Sequence, residues 1–172
     1  MWFLRAYHTA ATWIARATGV AAMIGLIALV AITGWQVYGR YVLRSTPVWV
    51  ESAALLLVLY ISFAVAAIGV RERFHIGIVT LPEMLGPEAR RALEGFTDLI
   101  LLLYGVGMTW WSLDLVMRTW NRLIPMIGLP VGTKYLALVV CGVLIVLFTL
   151  ERLLLLVAHW LGRDIEEFRK WG

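Results

Sequence analysis

Few side chains near the long apolar stretches of this sequence could do chemistry, and Asp98 is the deepest of them. It lies about two helical turns beyond Arg91. A carboxylate so placed can line an ion pathway or hold a cation; the expected reading is an interfacial carboxylate paired with nearby basic residues such as Arg90 or Arg91. Glu51 opens another apolar stretch just after Trp49, where the positive end of a helix dipole stabilises it. It could equally meet a polar group on a partner. Haem between facing helices needs histidines inside the spans. His8 lies in the leader, and His75 and His159 fall just past the ends of apolar stretches. No phosphate-cradling loop of the G-x-x-x-x-G-K-[ST] kind occurs, one cysteine rules out a CxxC pair, and no Ser, His and Asp grouping stands out. A small proton-coupled drug exporter would need a carboxylate in its first helix, and none is there. No catalytic residue, cofactor or metal ligand is therefore expected.

The elements that carry these residues follow from composition. The chain has 172 residues, 62% hydrophobic and 15% charged, against about 45–50% and about 25% in soluble domains. Crossing a hydrocarbon layer of roughly 30 Å takes about 20 apolar helical residues. Four stretches approach that length: 23 uncharged residues between Arg16 and Arg40, 19 between Glu51 and Arg71, 15 between Asp98 and Asp114, and 16 between Lys134 and Glu151. The last two helices must therefore bring a charge within a turn of an interface, tolerable through snorkelling or pairing. An all-α membrane protein with four transmembrane helices is expected, at about 17–38, 47–70, 88–116 and 131–158, with a cytoplasmic tail over 159–172.

The net charge of +4 forms no stripe suited to nucleic acid, and topology accounts for it better. Ten basic residues fall before helix one, between helices two and three and in the tail, against five on the other side. The positive-inside rule then places both termini in the cytoplasm of a bacterial inner membrane. All nine tryptophans sit outside or near the ends of the spans, where indoles favour the interface and phospholipid contacts are expected. The first span is too long for a signal-peptide core and is read as an uncleaved anchor. Cys141 is mid-helix and has no partner for an internal disulfide.

Within residues 1–16, Arg5, His8, Thr9, Thr12 and Arg16 recur at steps of three and four, with Phe3, Tyr7, Ala10 and Ile14 opposite. That pattern predicts an amphipathic helix lying on the membrane interface. Pro47 is expected in the first turn of helix two, and Gly86-Pro87-Glu88 reads as a stop followed by the start of helix three. Pro125, Gly128 and Pro130 exclude regular helix between helices three and four. Close-packing pairs of small residues occur at Ala21/Gly25, Ser62/Ala66, Gly105/Thr109 and Ala137/Cys141.

The stretch W-V-E-S-A-A-L-L-L-V-L-Y from Trp49, together with R-E-R-F-H-I-G-I from Arg71, resembles the small membrane subunit of tripartite ATP-independent periplasmic (TRAP) transporters, the DctQ-like family. G-L-P-V-G-T-K-Y-L before helix four is also similar to that family. The resemblance rests on Trp49 and Glu51 at the start of helix two and on Arg71 or Arg73 with His75 and Ile76 at its end. Ser52 stands where family members often carry a second acidic residue. The resemblance implies two protein partners, a large polytopic subunit holding the substrate and sodium sites and a periplasmic substrate-binding protein. It also implies a non-enzymatic scaffold role in organic-acid uptake, with His75 a structural or interface residue. Two other assignments stay open at this point: the small subunit of a tripartite tricarboxylate transporter, and the membrane anchor of a redox enzyme.

Overall fold

The computed structural model describes residues 2–45, 47–72 and 87–160. Four helices account for nearly all of them: α1 (Trp2–Tyr41), α2 (Trp49–Arg71), α3 (Pro87–Thr119) and α4 (Gly132–Trp160). Each contains a segment long and apolar enough to cross a membrane. Arg73, His75 and the rest of the link between α2 and α3 lie outside the described residues, as does the tail beyond Trp160.

Helix α1 has 40 residues, about 60 Å of helix and twice the thickness of a hydrocarbon core. The sequence divides this region at residue 16, by polarity. The backbone shows no break there, because the stretch holds no proline and helical hydrogen bonding is indifferent to the polarity of the side chains. The orientation of the leader also differs in part from expectation. Ala11 and Ala15 are buried, His8 and Thr12 lie beside them on the packed side, and Trp13 and Ile14 are exposed. Thr9 and Arg16 remain on the outside.

Helix α1 stops where Arg44 turns to a left-handed φ of 54°, a conformation that ends a helix. The link then doubles back so closely that a Cβ on Gly39 would lie 2.9 Å from the Ser45 carbonyl oxygen and 3.1 Å from Pro47 Cδ. Pro47 sits just ahead of α2 rather than in its first turn, with Val48 as the cap. In α3, Pro87 takes the first helical position, where its missing N–H costs nothing.

In space the helices run in the order α1, α2, α4, α3. Helix α4 is central, packed along α3 on one side and α2 on the other, while α1 lies against α2 and meets α4 only near its own N-terminal end. The buried core gathers there, around Ala11, Ala67, Val70, Leu144 and Phe148. Elsewhere the outer faces carry exposed Ile, Leu, Val and Trp side chains, a surface suited to hydrocarbon rather than water. Two small-residue pairs sit at close approaches: Gly105/Thr109 faces Gly142 of α4, and Gly25 of α1 faces Ile61 of α2. Ser62 and Ala66 are exposed.

Candidate functional site

Charge inside an apolar bundle must be matched, and the matching explains the one polar cluster of the described residues. Glu151 and Arg152 are neighbours on α4. Successive helical residues point about 100° apart, so the two side chains reach different helices. Glu151, 5% exposed, accepts from Arg71 Nε of α2 at 3.4 Å and lies 3.7 Å from His8 Nε2 of α1. Arg71 also donates through Nη2 to Thr12 Oγ1 at 2.7 Å, and its guanidinium lies over the Phe148 ring, 5.7 Å from the centroid. Tyr7 adds a bond from its hydroxyl to the Leu147 carbonyl at 2.9 Å.

Arg152 points the other way. Its Nη2 lies 2.8 Å from Asp98 Oδ1 of α3, and its Nη1 donates to the Val70 carbonyl at 3.1 Å. That carbonyl belongs to the last turn of α2, where helix geometry leaves acceptors without backbone partners. Asp98 is 1% exposed. Two cations and two carboxylates thus close a clasp that touches all four helices within two residues of α4.

Of the residues singled out by sequence, the structure brings Arg71 and Asp98 into this clasp. The cation it shows at Asp98 is Arg152, contributed by α4; the side chains of Arg90 and Arg91 lie outside the described ones. Trp49 and Glu51 open α2 at the far end, both exposed and away from the cluster. Arg73 and His75 lie outside the described residues. Sequence reading missed Glu151, Arg152, His8 and Thr12 as members. The adjacent Glu-Arg at the end of an apolar helix was the available signal, since a pair of opposite charges there calls for partners on two sides.

With each carboxylate matched to a cation, the cluster holds helices in register. Replacing Arg71 with Met should destabilise the fold by about 3 kcal/mol, because Glu151 is left buried without its cation. Unfolding in mixed micelles followed by circular dichroism measures this, and a loss below about 1 kcal/mol, the size of a surface pair, would show that the pair is not holding the helices.

Comparison with known proteins converges on one family. Residues 29–159 match the family described as tripartite ATP-independent periplasmic transporters, DctQ component. A chain of Haemophilus influenzae named as a TRAP transporter small permease protein is 27% identical over 135 residues, 76% of this chain and 82% of that one. The sialic acid TRAP transporter small permease protein SiaQ of Vibrio cholerae is 26% identical over 139 residues, 80% of this chain and 79% of that one. The matched span runs from the middle of α1 to the end of α4 and includes Arg71, Asp98, Glu151 and Arg152. With four membrane-spanning helices joined by a charge clasp and a family match over most of its length, the chain belongs to the DctQ-component family of TRAP transporters, as a bacterial inner-membrane transporter subunit and not an enzyme.

Proposed function

We propose that this chain is the static flank of its transporter, packing on the scaffold of the large polytopic membrane subunit with both termini in the cytoplasm. It supports sodium-coupled, binding-protein-dependent uptake of an organic acid. The clasp carries this reading: Arg71, Glu151, Arg152 and Asp98 are spent on one another, leaving helix geometry as what the charges serve. Broad exposed apolar faces on α1 and α3 give a partner helix room to pack beside lipid. The substrate class is supported by the name of the Vibrio cholerae relative, since sialic acid is a sugar acid. Trp49, Glu51, Arg73 and His75 are the proposed contacts with the other subunits.

The experiment is to tag the chain at native expression, extract it in mild detergent and identify what co-purifies in stoichiometric amount. A large polytopic membrane protein is the expected companion. In vesicles, uptake should then require both proteins, the binding protein and an inward sodium gradient. A chain that emerges alone, or uptake that is unchanged when the chain is deleted, would overturn the scaffold role.

A further inference from the structure

The link between α3 and α4 has an unusual balance of groups. Part of its backbone pairs within the link: Val131 N–H donates to the Arg122 carbonyl at 2.7 Å, Ile124 N–H to the Leu129 carbonyl at 2.7 Å and Gly128 N–H to the Ile124 carbonyl at 3.1 Å. Leu123 and Pro130 face each other as an antiparallel bridge, and Pro125 and Pro130 have no N–H to satisfy. Ile124 is buried and pins the hairpin down. Three large apolar side chains are sent outward: Leu123 is 64% exposed, Met126 67% and Leu129 40%. Met126 reaches this position at φ 71°, where a non-glycine residue costs about 1–2 kcal/mol.

A loop facing water usually shows polar side chains and leaves backbone groups to the solvent. Apolar side chains turned outward suit a low-dielectric layer, and each backbone pair made inside the hairpin lowers the cost of approaching one. The hairpin also emerges directly from the ends of two spans, beside exposed Trp120, at the depth where indoles settle. Exposed Arg118 and Arg122, with Lys134 at the start of α4, surround it with positive charge. Arg118 already holds Asp114 at 2.7 Å, which leaves Arg122 and Lys134 for phosphate.

We propose that this hairpin is a membrane-seated element: its apolar tip at Leu123, Met126 and Leu129 enters the headgroup and acyl boundary of the leaflet on its side, with Arg122 and Lys134 on the phosphates of anionic phospholipid. Lipid, not a protein, is its occupant. The charge complementarity is of the kind that draws basic groups to anionic lipid surfaces.

Spin labels test this in the full chain, alone and in the complex that co-purifies with it. Met126→Cys and Asn121→Cys are made in a Cys141→Ala background, labelled, and reconstituted into bilayers of phosphatidylcholine with or without phosphatidylglycerol. Accessibility to oxygen and to a water-soluble nickel chelate is then compared. The label at Met126 should favour oxygen and the label at Asn121 nickel, an inversion of the ratio between the two sites. Phosphatidylglycerol should deepen the label at Met126, and Arg122→Gln with Lys134→Gln should abolish that deepening. A label at Met126 that favours nickel in every bilayer overturns the seating, and equal depth in both lipid mixtures overturns the phosphate contact. Loss of access to both reagents only within the complex would make the hairpin a subunit contact and overturn the lipid assignment.

Discussion

Asp98→Ala is expected to destabilise the protein by about 3–5 kcal/mol, the range for removing one member of a buried ion pair. The magnitude follows from what is left behind. Arg152 is only 16% exposed at its side chain and sits 2.8 Å from Asp98. Without that carboxylate it keeps its bond to the Val70 carbonyl, a dipole rather than a charge. The cation must then drag in water or pull away from α3, and either course loosens α4 from the helix it packs against most. The double variant Asp98→Leu with Arg152→Leu should recover most of the loss, because a buried pair replaced by apolar groups of similar size is often neutral. Unfolding of Asp98→Leu, Arg152→Leu and the double variant in mixed micelles gives the cycle. A coupling near zero between the two positions would sink the claim that they hold α3 to α4.

The pattern of recoveries and losses also says what kind of information the chain carries locally. Helix boundaries were legible because hydrocarbon thickness sets a minimum apolar length and because Pro87, Gly128 and Pro130 punctuate the chain. The expected spans end within a few residues of the observed helices α2, α3 and α4. The link after α3 was legible as irregular, but not as a hairpin, since the pairing of Arg122 with Val131 depends on a register that composition does not encode.

Partnerships between helices were less visible. Asp98 was recognised as a carboxylate needing a cation, yet its partner in the structure lies 54 positions further on, beyond two apolar stretches. His8 and Thr12 were read as part of a polar face meant for headgroups. Their spacing of four residues was correct, but a helical face is silent about whether water, lipid headgroups or Arg71 and Glu151 will receive it. The same limit applies to α1 as a whole. A polarity boundary at residue 16 is a statement about solvent, and the backbone passes through it unbroken.

Gly142→Leu should separate α3 from α4 and cost about 3 kcal/mol, at the upper end of what overpacking a tight contact entails. A Cβ at Gly142 would run into the Thr109 hydroxyl and lie 3.0 Å from both the Gly105 carbonyl oxygen and the Thr109 amide nitrogen. The hydroxyl could rotate away only by giving up its 2.8 Å bond to that same carbonyl. The two backbone atoms cannot move without shifting the helix. Gly105 faces the same seam from the other side, where a Cβ would lie 3.0 Å from Ile145 Cγ2 and from Val146 Cγ2. In lipid, helix association draws on close packing rather than on a hydrophobic driving force, so a seam of this kind has no substitute once it is wedged apart. Because Asp98 and Arg152 bridge the same two helices nearer the other end, the wedge should also lengthen that ion pair and make the variant less sensitive to Asp98→Ala than the native chain is, since a stretched pair has less to lose. Gly34 supplies the control: a Cβ there meets nothing within 4 Å, so Gly34→Leu should leave stability unchanged. Equal stability of Gly142→Leu and Gly34→Leu in mixed micelles would refute the close approach of α3 and α4 as the source of their association.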